Sequence, residues 1–193
     1  METQNPKNIL SGRRLSMEHI SAFCRLMKGQ DGDSKKEELY ALTLDNDEHT
    51  AFNALHVFTH LDTQDLDWLL DKHDELINRA LKEHHQRKLR LLLTLLQKQP
   101  FPSNDLRPEF IDFCMRRITN TTLPYAIRAL CMKLACKQMI HFPELTDELE
   151  ATMQLLELEE LSPGLQSARR QVTASIKSAR KKPATHALHP CRT

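Results

Sequence analysis

Residues 126–134 read AIRALCMKL, and three other stretches align with them: AFNALHVFT at 51–59, KLRLLLTLL at 88–96 and GLQSARRQV at 164–172. The offsets are 37, 38 and 38 residues. One column of this alignment holds Phe52, Leu89, Ile127 and Leu165. Three positions on stand Leu55, Leu92, Leu130 and Ala168, and four beyond those come Thr59, Leu96, Leu134 and Val172. Steps of three and four place all three columns on one helix face. Between the copies lie further stripes at helical spacing: Leu66, Leu69, Leu70, His73 and Ile77; Phe110, Phe113, Cys114 and Ile118; Leu145, Leu149, Met153 and Leu156. A two-helix unit that cannot bury its apolar face alone must stack on its neighbours. The expected fold is therefore all-α, an α-α superhelix of about four two-helix repeats with an extra N-terminal helix.

Composition agrees. Among 193 residues there are 31 Leu and 8 Ile but only 2 Val, 4 Gly and 2 Tyr. Strands draw on β-branched and aromatic residues and sheets on Gly-rich turns, so a sheet protein is excluded. With 40% apolar and 27% charged residues the chain can bury a core.

The expected boundaries follow from stop and start signals. Residues 1–14 are polar, carry Pro6 and Gly12, and read as a flexible tail. A first helix is expected over 15–28, with Ile20, Phe23, Cys24 and Met27 on its inner face. Ser34 followed by Glu37 offers a capping box for a helix over 35–44, and Asp47 a cap for one over 48–61. Further breaks are expected at 61–63, 83–85, 99–105, 120–124, 142–143 and 162–163. The repeats then form a single domain over 15–182, and 183–193, after Pro183, a flexible C-terminal tail.

No stretch reads as a signal peptide or membrane span: the most apolar run, LRLLLTLL at 89–96, is interrupted by Arg90 and far short of the ~20 residues a span needs. The five cysteines (Cys24, Cys114, Cys131, Cys136 and Cys191) form no CxxC pair. Cys131 and Cys136 lie within a helical pattern, where thiols act as small hydrophobes. The expectation is a reduced, cytoplasmic protein with no membrane association.

The repeat resembles HEAT repeats. Its best copy is LPYAIRALCMKLACKQMIHFPELTDELEATMQLL at 123–156, and the resemblance covers about residues 32–182 as four degenerate copies. In that family an Arg of the second helix commonly pairs with an Asp in the turn before it. Here Arg90 and Arg128 match the Arg position, with Asn53 and Gln166 in the other copies; Asp47 matches the Asp position, while His84 and Thr122 replace it. No copy carries both, so no Asp–Arg ladder is expected. The chain is also similar to short bacterial helical-repeat proteins, some bearing an adenylosuccinate lyase label. That enzyme family needs a Gly/Ser-rich loop, and the only glycines here are Gly12, Gly29, Gly32 and Gly164.

Local chemistry is sparse. His56 and His60 have the i, i+4 spacing of two metal ligands, but no HExxH and no local Cys or carboxylate joins them. They read as packing or surface histidines. Asp67, Asp71 and Asp74 share a face without an EF-hand loop and read as solvated. His84 and His85 lie at a helix boundary, and Trp68 reads as a packing residue between repeats. No GxSxG-type nucleophile motif is present. Neither catalysis, a cofactor nor a metal is expected.

Charge is more informative. The net charge of +1 argues at first against an anionic partner. Assigned to helices, however, it is +12 on the repeated second helices (48–61, 85–98, 123–140, 163–182) and −10 on their partners (33–44, 64–83, 106–118, 143–160). The last three second helices hold no Asp or Glu. The HEAT resemblance implies that these helices line a concave surface. Arg87, Lys133, Lys137, Arg169, Arg170 and Lys177 are then the expected partner-binding residues. A protein-interaction scaffold with a basic groove for an acidic protein or peptide is the leading expectation. The alternative is nucleic-acid binding of the kind found in HEAT-like DNA alkylation repair proteins, for which clustered Lys/Arg suffice but groove aromatics are scarce.

Overall fold

The computed structural model describes residues 6–12, 14–29, 31–102, 106–158 and 161–181. Every regular element among them is helical. They form two compact units, 1–101 and 102–193.

In the first unit, α1 (Pro6–Leu10) and α2 (Met17–Leu26) precede α3 (Gly32–Leu42) and α4 (Glu48–Phe58). Next come α5 (Thr63–Leu66), a 3-10 helix (Asp67–Lys72), α6 (His73–Lys82) and α7 (Gln86–Lys98). Helix α4 is the hub, packing against α1, α2, α3 and α7, while α6 packs on α7. Its sequence explains why: Ala54, Leu55, Val57 and Phe58 are all buried, as are Leu92, Leu93, Leu95 and Leu96 of α7. Tyr40, Phe58 and Trp68 form an aromatic cluster, with Phe58 and Trp68 stacked and Tyr40 edge-on to both. Asp47 caps α4 as expected, accepting from the Thr50 backbone N–H at 2.7 Å.

Three local expectations are corrected. Residues 6–10, read as part of a tail, form a helix because Leu10 is wholly buried and the Asn53 amide donates to the Leu10 and Gly12 carbonyls at 2.8 Å. Helix α3 starts at Gly32, so Ser34 and Glu37 lie inside it and make no capping box. Gly32 is required there: a Cβ would sit 2.4 Å from the Met27 carbonyl oxygen. The helix expected over 64–83 tightens to 3-10 geometry at 67–72. A 3-10 turn eclipses residues three apart, and Leu66 and Leu69 are buried while Leu70 is exposed.

The second unit holds α8 (Pro108–Ile118), α9 (Tyr125–Met139), α10 (Pro143–Gln154), a 3-10 turn (Leu155–Leu158) and α11 (Pro163–Lys181). Proline opens α8, α10 and α11, where the missing N–H has no helical acceptor to lose. Here α9 is the hub, packing on α8, α10 and α11. Ile127, Leu134, Leu165, Ala168 and Val172 of the repeat columns are buried, but Leu130 is only half-buried. In the first unit Phe52 and Thr59 are likewise half-buried, so the stripe is narrower than its columns suggest. The Cys114, Cys131 and Cys136 thiols are free and buried. Burial, with the Cys131 thiol alongside, pushes the Cys114 thiol well up, and burial raises Cys136 to about 11. Residues 183–193 lie outside the described residues, as does Cys191.

The Arg column of the repeat has one role in three of its four copies. Each side chain donates to a carbonyl of an earlier stretch of chain: Asn53 to Leu10 and Gly12, Arg128 Nε to Ile118 at 2.8 Å, and Gln166 Nε2 to Leu161 at 3.0 Å. Arg90 is exposed instead. Arg128 is 1% exposed, so its loss leaves the Ile118 carbonyl buried without this donor. Arg128→Met should cost about 2–4 kcal/mol in urea denaturation, although it keeps most of the volume.

Lys28 and Asp62 tie two helices of the first unit, and Asp62 also caps α5. The Lys28 ammonium, aided by the Asp65 backbone N–H, holds the Asp62 carboxyl down to about 2. A depressed carboxylate stabilises above the unfolded-state value near 4, and that contribution is lost as pH falls through about 2. Asparagine caps equally well, so Asp62→Asn isolates the charge. Thermal melts should show the variant less stable than wild type above pH ~4, the two converging toward pH ~2.

Candidate functional site

Helix α11 carries five basic residues and no acidic one. Pro163 and Ser162 start it, the Ser162 hydroxyl accepting from the Leu165 backbone N–H at 3.3 Å. Leu165, Ala168, Val172 and Ile176 are buried, at steps of three, four and four. The other face carries Arg169, Arg170, Thr173, Ala174 and Lys177, which with Gln166, Leu156 and Leu161 line a groove of about 690 Å³. Leu156 is wholly buried and forms an apolar floor; Arg170 and Lys177 are exposed and Arg169 is half-buried. No carboxylate lies among the described residues lining it. Arg180, on the same helix, pairs with Asp147 and Glu150 of α10 and is not among the lining residues.

Of the six basic residues expected from sequence, the structure thus joins three: Arg169, Arg170 and Lys177. Lys133 and Lys137 stand one turn apart on α9, both half-buried and neither lining the groove. Burial holds the Lys137 ammonium below the ordinary lysine value. Arg87 belongs to the first unit, its guanidinium 4.4 Å from the Phe52 ring centroid. Of the aromatics on the repeated second helices, Phe58 is wholly buried, Phe52 is half-buried and Tyr125 is 48% exposed. The apolar stripe read from the sequence includes Leu156 but does not show its place with Leu161 under α11's charges, because both residues follow α10 and meet α11 only through packing.

The clefts of the first unit include two of contrasting lining. One, of about 630 Å³, mixes Arg79, Lys82 and Lys88 with Asp45, Glu75 and Glu83. The other, of about 330 Å³, is lined mainly by Phe23, Leu26, Met27, Leu39 and Leu42. Asp67, Asp71 and Asp74 are exposed, and no group of three or more His, Cys, Asp or Glu suited to a metal occurs among the described residues. His56 and His60 approach closely, Nε2 to Nε2 at 3.2 Å. Burial, His60 and Arg90 hold the His56 imidazolium below the ordinary histidine value.

Successive helices packed on one another, with a recurring apolar stripe, define a helical-repeat protein. A HEAT repeat domain model matches residues 7–176, so the chain belongs to the HEAT repeat family, and its fold is an all-α HEAT-like solenoid. The family is typically non-catalytic and often used for protein interaction. No curated protein and no solved structure matches the chain. No helix among the described residues is long and apolar enough to cross a membrane.

Proposed function

We propose that the protein is a non-catalytic interaction scaffold whose α11 groove takes an acidic segment of a partner protein. The observation that carries this is the groove lining: three cations at i, i+1 and i+8 on one helix face, above Leu156 and Leu161. A surface of one sign steers an oppositely charged partner and sets its register, while the apolar floor gives one partner side chain somewhere to bury. Arg180, already engaged by Asp147 and Glu150, serves as the internal control. The free thiols support a cytoplasmic setting.

The test is affinity capture from the native host with wild type, the triple variant Arg169→Glu/Arg170→Glu/Lys177→Glu, and Arg180→Ala as parallel baits. The expected result is a protein with an Asp/Glu-rich segment, held by wild type and Arg180→Ala and bound at least about tenfold more weakly by the triple variant. Circular dichroism and melting temperature confirm that the baits remain folded. Equal recovery on the triple variant removes the proposal. Recovery that disappears on nuclease treatment replaces it with nucleic-acid binding.

A further inference from the structure

We infer a second site, on the first unit: His56 and His60 form a two-imidazole chelate for a late first-row divalent ion, Cu²⁺, Ni²⁺ or Zn²⁺. The sequence shows only the spacing, and the structure adds the geometry. The two Nε2 atoms lie 3.2 Å apart, with ring centroids at 4.9 Å and planes at 73°. With metal–nitrogen bonds of about 2.1 Å, that separation subtends roughly 100° at a shared ion, between the octahedral or square value and the tetrahedral one. The separation therefore fits the ion without movement of the helix.

The support beneath the pair is fixed. Ala51, Ala54, Leu55, Val57 and Phe58 bury the opposite face of α4. His60 lies just past the helix end, yet its backbone N–H donates to the Val57 carbonyl, and the next residue, Leu61, is buried. Lys98 Nζ donates to the Thr59 carbonyl at 2.6 Å, and the Thr59 hydroxyl to that of His56 at 2.7 Å. His60 is exposed and His56 half-buried, so solvent reaches the nitrogens.

The surroundings select the ion. No group of three or more potential ligands includes the pair among the described residues, which leaves nothing for the oxygen-seeking Mg²⁺ and Ca²⁺. The nearby Arg90 charge opposes any cation, so only ions with a strong imidazole bond gain, in the order Cu²⁺ above Ni²⁺ and Zn²⁺. Without metal, one ring donates its Nε2–H to the other. On binding, that ring re-forms as the Nδ1–H tautomer by exchange with solvent, and the neutral pair releases no net proton. The remaining coordination positions stay open to water or to a donor on a bound molecule, as in a bridging site rather than a closed structural one.

The experiment titrates the full chain with ZnCl₂ and reads the imidazole nitrogens by ¹H–¹⁵N NMR. His186, His189 and Cys191 are replaced by Ala, because they are potential donors of their own. The Nε2 resonances of His56 and His60 should shift together and saturate at one ion per chain below about 0.1 mM. His56→Gln or His60→Gln should weaken binding about 10- to 100-fold with the metal-free melting temperature unchanged, and CuCl₂ should bind more tightly than ZnCl₂. Movement of only one imidazole, equal binding by either variant, or no saturation below about 1 mM overturns the inference.

Discussion

Short helices leave their last carbonyls without partners, and a stack of short helices buries many of those ends. This chain answers with side-chain donors sent from a later segment. Asn53 holds the end of α1, Arg128 the end of α8, and Gln166 the segment before α11. Arg79 reaches the Thr43 carbonyl after α3, and Lys98 the Thr59 carbonyl after α4. Each bond fixes where one helix ends against another, which apolar contact alone, being non-directional, does not do. Helices α4 and α9 become hubs because their buried faces meet several neighbours whose ends are held in this way.

The same donors explain why the Arg column tolerates substitution. The position needs a polar side chain with an N–H that reaches an earlier carbonyl, and Arg, Asn and Gln all supply one. Arg90 departs because its guanidinium stays exposed near His56, where it bears on electrostatics instead.

Charge is shared unevenly among the helices. Acidic α10 lies beside basic α11, and some of their charges neutralise one another, as Arg180 does with Asp147 and Glu150. Such exposed pairs are worth about 0–1 kcal/mol each and do not hold the fold together. Beyond such pairs, α11 brings Arg169, Arg170 and Lys177 together around one groove. Near-neutrality overall therefore coexists with a basic groove.

The sequence by itself determined the helices, their inner faces and the repeat. Leu and Ile recurring at steps of three and four are local facts, and Asp47, Pro108, Pro143 and Pro163 act within one turn of their own positions. It misjudged Leu10, whose burial depends on Asn53 some forty residues on, and 67–72, where packing of Leu66 and Leu69 overrode the α period. It read α11's charges but not the groove, since Leu156 and Leu161 precede that helix. It showed the spacing of His56 and His60 but not the 3.2 Å between their nitrogens. Periodicity is written along the chain; distances between side chains are decided only when buried faces and held helix ends fix one helix against the next.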